Sequence, residues 1–139
     1  MAKRRRGSRH APAPRSHVSR TGVFEQVVER ALDGIPMPFR AALGEVAVVI
    51  ADDPSAQQRE DNGLGPDDSL YGLYEGVPRT EWGADWSPVP NKITIFRLPL
   101  EDDFADPDDL EDEIRVTVIH ELAHHLGIDD ARLDELGID

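Results

Sequence analysis

The segment from Pro107 to Gly127 constrains the fold more than any other part of the chain. Its apolar residues recur every four positions, which is the spacing of one face of an α-helix. These residues are Leu110, Ile114, Val118, Leu122 and Leu126. Asp106 can cap the start of this helix and Pro107 is tolerated at its first position, while Gly127 can end it in a left-handed conformation. A helix this long with one apolar face requires a second layer of structure to pack against.

The composition fits one globular domain with an uneven charge distribution. A chain of 139 residues suffices for a single core, and the absence of cysteine excludes disulfides and thiolate metal sites. Residues 1–20 contain seven Lys and Arg and no acid, whereas the remainder contains eight bases and 28 acids. We therefore predict a basic, disordered leader over residues 1–20 and one folded domain over residues 21–139.

The N-terminus lacks the pattern of a secretory signal. Its basic start is followed by "APAPRSHVSR" instead of an apolar run, and no later stretch is apolar enough to cross a bilayer. We therefore expect a cytoplasmic protein without membrane contact. The leader could touch the phosphates of a nucleic acid, but the acidic body would repel them.

Shorter segments predict the rest of an α+β fold, with a small mixed β-sheet packed against helices. Helical spacing from Val23 to Leu32 predicts a first helix, ended by Gly34 and Pro36, and "PMPFRAAL" predicts a shorter second one. Three segments predict strands: "EVAVVI", "LYGLYEG" and "KITIFRL". The consecutive β-branched residues of "EVAVVI" suggest burial on both faces. The connection before the third strand is long and carries both Trp82 and Trp86.

An acidic run precedes the long helix. Between Glu101 and Glu113 there are nine acids in thirteen residues. Acidic side chains are favoured around the N-terminus of a helix, because the helix dipole is positive there. We interpret the run as this helix start, with calcium or protein binding as the alternative.

The sequence "HELAHHLGIDD", residues 120–130, indicates a metal site on the long helix. Residues four apart on a helix project from the same side, so His120 and His124 can bind one ion. Gly127 can turn the chain back so that Asp130 supplies a third, oxygen ligand. A fourth position left open to water or substrate distinguishes a catalytic Zn²⁺ site from a structural one.

Glu121 has the position of a general base in this arrangement. It lies about 100° around the helix from His120, which suits contact with a water on the metal better than direct ligation. Zinc lowers the pKa of its bound water from about 16 to about 7. A carboxylate can take the proton as the water attacks an amide carbonyl, and then pass it to the leaving amine.

The pattern HExxHxxGxxD resembles the zinc signature of metzincin-type enzymes with aspartate as third ligand. More closely, the chain resembles the short bacterial zincin-like metallopeptidase family, to whose strand regions "LYGLYEGVP" and "ITIFRLPLE" are similar. This resemblance implies a zincin-like fold with the HExxH helix near the C-terminus and a peptide or protein substrate. It also implies that His120, His124 and Asp130 are zinc ligands and that Glu121 is the catalytic residue.

The chain departs from larger metzincins after the motif. Only nine residues follow Asp130 and none is methionine, so we expect a shallow, open site that an unidentified protein partner could complete. Two alternatives remain open: a zinc-dependent hydrolase acting on RNA, which the basic leader favours, and a non-catalytic zinc domain that serves as an interaction module.

Several residues near the motif have two interpretations. We interpret His125 as a rim or surface histidine, with substrate polarisation or the support of a metal ligand from behind as the alternative. We interpret Asp129 as the cap of a short final helix instead of the third ligand. The strand "LYGLYEG" could be a sheet edge that pairs with an extended peptide. We expect Tyr71 and Tyr74 to pack in the core. If a peptide does pair with this strand, either tyrosine could instead stabilise an oxyanion.

Overall fold

The computed structural model describes residues 2–5, 17–76 and 91–135; their side chains are described from Gly22 onward, except that of Asp130. The strands are β1 (Ala2–Arg5), β2 (Ala47–Ala51), β3 (Asp68–Glu75) and β4 (Lys92–Phe96). The helices are α1 (His17–Asp33), α2 (Phe39–Ala42), α3 (Ala56–Asp61), α4 (Arg97–Asp103), α5 (Pro107–Leu126) and α6 (Asp130–Glu135), with a 3-10 turn at Leu43–Glu45.

The strands form one mixed sheet in the order β1-β3-β4-β2. β2 runs parallel to β4, and β3 runs antiparallel to both β4 and β1. This arrangement confirms the predicted α+β class and the small mixed sheet. The expectation that "EVAVVI" is buried on both faces is wrong, because β2 lies at the edge of the described sheet and leaves Val49 40% exposed.

The core lies between this sheet and α5, with α1 packed on α5. The buried row of α5 is the one that the sequence predicts, apart from a half-buried Leu126 at its end. From the sheet, Ile93 and Ile95 are fully buried in the same cluster. From α1, Phe24, Val27 and Ala31 pack into it. The helix that carries the histidines is therefore held on both sides by the core.

Both ends of α5 are built as the sequence predicts. The Asp106 side chain accepts hydrogen bonds from the main-chain N–H groups of Asp108 and Asp109, at 2.8 and 3.4 Å, and Pro107 follows at the first helical position. Gly127 ends the helix with a φ of 76°, in the left-handed region that a residue with a Cβ avoids. The acidic run thus contains a helix N-terminus.

Two short helices differ from the predicted pattern. α3 lies inside the polar stretch before β3, and Ser55 and Gln58 cap it through reciprocal bonds between side chain and main chain. α4 begins at Arg97, so β4 ends two residues earlier than the predicted strand "KITIFRL". The buried Arg97 guanidinium donates to Asp52, a tertiary contact of 2.9 Å, and to Glu101 one turn along the same helix at 2.7 Å. Both bonds stabilise the helix start.

The N-terminal segment contains regular structure that the sequence does not predict. Residues 2–5 pair as β1 and α1 begins at His17, both within the stretch expected to be disordered. The division of the chain at residue 20 itself stays a prediction. Trp82 and Trp86 lie outside the described residues. Within the described part of the chain, none of the helices combines the length and apolar character needed to span a membrane.

Candidate metal and catalytic site

α5 presents His120 and His124 one helical turn apart, and both are half-buried. Asp130 begins α6, directly after the turn that follows Gly127, but its side chain lies outside the described residues. Among the described side chains there is no group of three that could bind a metal ion. The structure therefore places two of the predicted ligands on one helix, and the third stays a prediction.

Glu121 is fully buried beside the second of these histidines. Its Oε1 accepts a hydrogen bond from the main-chain N–H of Tyr74 at 2.9 Å and lies 3.6 Å from Nδ1 of His124. Burying a carboxylate is costly unless hydrogen bonds compensate for lost water, and β3 supplies this one. The predicted base is thus tied to the main chain of a strand on one side and adjoins a predicted ligand on the other.

A glycine in β3 permits this close contact between strand and helix. A Cβ built on Gly72 would lie 2.6 Å from Cγ2 of the buried Thr117 and 3.8 Å from Cγ of Glu121. Only a residue without a side chain fits between strand and helix at that distance. An isolated glycine inside "LYGLYEG" is the sequence signal that could have indicated this close approach.

His125 is not a rim or surface residue, so that interpretation is wrong. Its ring is fully buried, with Nδ1 3.0 Å from the hydroxyl of Tyr74 and Nε2 2.9 Å from Oε1 of Glu45. Because an ionised carboxylate only accepts, Nε2–H donates to Glu45, and in the neutral ring Nδ1 then accepts from the tyrosine O–H. Nothing in the sequence signals this contact, since Glu45 is 80 residues away along the chain.

Tyr74 is the residue that joins the two buried groups. Its main-chain N–H bonds to Glu121 and its hydroxyl bonds to His125, so one residue of β3 contacts two side chains that lie one turn apart on the same face of α5. Tyr71 on the same strand instead bonds to the carboxylate of Asp103 and packs edge-on against a phenylalanine ring, with centroids 5.7 Å apart. The packing interpretation fits Tyr71, whereas Tyr74 also takes part in a polar network.

Asp129 caps α6, as the sequence predicts. Its Oδ1 accepts a hydrogen bond from the main-chain N–H of Arg132 at 2.8 Å. This contact gives Asp129 the capping task and agrees with assigning the ligand role to its neighbour Asp130.

The described donors fit a zinc ion. Imidazole nitrogen is a common zinc ligand. The His124 side chain is 33% exposed, whereas His120 is half-buried with its Nε2 shielded from solvent, and Glu121 and His125 beside them are completely buried. The carboxylate next to these rings matches the task of a proton acceptor. This end of α5 therefore combines two half-buried imidazoles with a buried carboxylate that the main chain of β3 holds in place.

Comparison with known families agrees with this chemistry. The sequence profile of the zincin-like metallopeptidases matches residues 43–138, which is more than half of the chain and includes β2, β3, β4 and α5. No curated protein matches the chain. Zincin-like metallopeptidases as a family are zinc-dependent. The chain therefore belongs to the zincin-like metallopeptidase family.

Proposed function

We propose that this protein hydrolyses peptide bonds as a short, metzincin-type zinc peptidase of the bacterial kind. His120, His124 and Asp130 hold the metal, and Glu121 serves as general base and acid. One observation carries this proposal: the Glu121 carboxylate is fully buried, bonded to the main chain of β3, and 3.6 Å from the His124 ring. A carboxylate fixed this firmly next to a predicted ligand suits proton transfer better than direct ligation.

The residues of the chain divide the reaction between them. When bound, zinc would activate a water molecule and polarise the carbonyl of the scissile amide. Glu121 accepts the proton of the attacking water and delivers it to the amide nitrogen as the C–N bond breaks, so the amine leaves neutral. The hydrogen bond from the Tyr74 N–H holds the carboxylate in one position throughout, which limits the reorganisation that proton transfer requires.

The test compares the zinc-loaded protein with its Glu121→Gln variant on a mixed peptide library, read by mass spectrometry. We expect cleavage by the wild type and a loss of at least about 100-fold in the variant, the usual contribution of a general base. Zinc affinity should be unchanged, because Glu121 is not a ligand. Glu113→Gln is the matched control: it removes a partly buried carboxylate from the same helix and should keep full activity.

The ligand assignment has its own measurement. Zinc titration of His120→Ala, His124→Ala and Asp130→Ala should show weakened binding in all three, and Asp129→Ala should bind as the wild type does. Full activity of Glu121→Gln would contradict the proposal. Tight zinc binding without peptide cleavage would favour the non-catalytic zinc domain, and cleavage of RNA alone would favour the RNA hydrolase.

A further inference from the structure

The N-terminal strand β1 occupies the edge of β3. Ala2 is opposite Gly72, Lys3 opposite Leu70, Arg4 opposite Ser69 and Arg5 opposite Asp68, in antiparallel register with an irregularity between Ala2 and Lys3. Residues 6–16 connect this strand to α1. An extended segment that adds to a sheet edge gains affinity mainly from main-chain hydrogen bonds, which form with almost any sequence.

This edge leads directly to the predicted base. The pairing of β1 ends at Gly72, whose Cα position faces Glu121 and Thr117, and two residues further along β3 the Tyr74 N–H donates to the Glu121 carboxylate. β1 also contacts α5. A longer peptide in the same register would pair with β3 as far as Gly72. Because the Tyr74 N–H is already bonded to Glu121, the peptide residues beyond the position of Ala2 would leave the strand there and reach Glu121. β1 covers only the part of this path that runs beside residues 68–72 of β3. In a longer peptide, this part would hold the residues that follow the one nearest Glu121.

The charge of the segment is opposite to that of its surroundings. Three of the four residues of β1 are basic, whereas residues 21–139 contain eight bases against 28 acids. The register also places Arg5 across from Asp68. Complementary charge favours association and discriminates against acidic peptides.

We propose that β1 is a resident peptide ligand: it occupies in cis the edge on which extended, Lys- and Arg-containing peptides bind for hydrolysis, and such peptides must displace it. This inference rests on the proposed peptidase function, whose substrate class and regulation it specifies. Because β1 belongs to the same chain as β3, its pairing is intramolecular. Free peptides therefore compete against an internal ligand, which holds the activity of the intact chain low.

The test measures peptide binding in the full-length Glu121→Gln protein, where bound peptide is not cleaved. The probe is a fluorescent peptide of sequence AKRRRG, and the control probe has Glu in place of each basic residue. Lys3→Pro and Arg4→Pro form a matched pair, because each removes one positive charge. Neighbouring residues of a strand direct their N–H groups to opposite sides, so only one of the two prolines removes a bond to β3.

We expect one proline variant to bind the basic probe about tenfold more tightly than the parent, because its internal competitor is weakened. The other should stay within about twofold, and the acidic probe should bind to neither. Hydrogen exchange should become faster in the β3 amides of the first variant and stay unchanged in those of β4, which shows that the fold is retained. Equal binding by parent and both variants, or equal binding of the two probes, would overturn the inference.

The two proposals fail separately. Probe binding as expected, together with no peptide cleavage by the zinc-loaded wild type, would reject the peptidase function and keep the resident ligand. Peptide cleavage together with unchanged binding in both proline variants would reject the resident ligand alone.

Discussion

The two consecutive histidines of α5 have different tasks because their rings leave the helix about 100° apart. His124 is partly exposed beside Glu121, whereas His125 is buried and lies between Glu45 and Tyr74. Glu45 holds the His125 ring, and the ring in turn bonds to the hydroxyl of Tyr74. Tyr74 then holds Glu121 through its main-chain N–H. We therefore propose that His125 is a positioning residue that acts through Tyr74 on Glu121, the predicted base.

Tyr74→Phe tests this chain of contacts. The change removes the hydroxyl and leaves the buried Nδ1 of His125 without its donor, which should cost about 1–3 kcal/mol of unfolding free energy. If the strand also loses its fixed position at Glu121, kcat should fall by about tenfold with KM and zinc affinity nearly unchanged. Urea denaturation and steady-state kinetics measure the two effects.

Tyr71→Phe is the control for that measurement. It removes a hydroxyl of the same strand that bonds to Asp103 on α4 instead of α5. We expect it to lower stability by about 1 kcal/mol and to leave kcat unchanged. An equal loss of kcat in both variants would show that Tyr74 acts only through general stability.

At the scale of elements, the site depends on how closely β3 approaches α5. Gly72 and Thr117 meet at the point of contact, one turn before Glu121 on the helix. Because both elements also pack into the core, neither can withdraw without a packing loss elsewhere. The distance between strand and helix therefore sets the position of the Glu121 carboxylate.

Gly72→Ala should disturb this contact. Its new methyl group would lie 2.6 Å from Cγ2 of Thr117, and overpacking of this kind costs about 1–3 kcal/mol. Thr117→Ser removes that Cγ2 and should restore much of the loss, giving a coupling of about 1 kcal/mol in a double-mutant cycle. Thermal or urea unfolding of the four proteins measures it.

Gly22→Ala provides the comparison, since a Cβ at that position of α1 has no neighbour within 4 Å. There the same methyl group should be neutral or stabilising by up to about 1 kcal/mol. Additive effects of Gly72→Ala and Thr117→Ser would contradict the close approach.

The elements that the sequence predicts well are those specified by local signals. α5 has an apolar row, a cap at Asp106 and a stop at Gly127, and the structure has all three. The capping box of α3 is an equally local signal, but it lies in a polar stretch that contains Gly and Pro, a composition typical of a loop. α4 depends on the remote partner of Arg97, and the buried state of His125 depends on Glu45, so neighbouring residues could not reveal either. The edge position of β2 likewise follows from strand order, which periodicity does not specify.

At the scale of the whole molecule, charge connects distant parts of the chain. The acidic body carries a basic N-terminal strand on its sheet, and α1 is joined to α5 by an ion pair whose acid lies within the acidic run. In that pair, Nε of Arg30 donates to Glu111 at 2.9 Å, and Arg115 donates to the other oxygen at 2.8 Å. Glu111 thus joins the first helix to the helix that carries the site.

This pair predicts a pH dependence of stability. The hydrogen bond from Arg30, together with the hydrogen bond and charge of Arg115, outweighs the opposing effect of burial and lowers the pKa of Glu111 below its ordinary value of 4.5. A carboxylate whose pKa is lower in the folded state stabilises the fold above the unfolded value, and this stabilisation disappears as the pH falls through the folded pKa. The affected range therefore lies below pH 4.5.

Glu111→Gln should accordingly be less stable than the wild type at pH 7, with a difference that narrows as the pH falls from 4.5 towards 3. Urea denaturation at a series of pH values measures it, and acid-induced loss of zinc does not interfere, because both proteins lose the metal alike. In an Arg30→Gln background the largest cause of the shift is absent, so the same comparison should show a smaller difference at pH 7 and a weaker dependence on pH. A gap between wild type and Glu111→Gln that stays constant across this range would mean that the carboxylate gains no charge-dependent stability from Arg30, and that α1 is held on α5 by its apolar face alone.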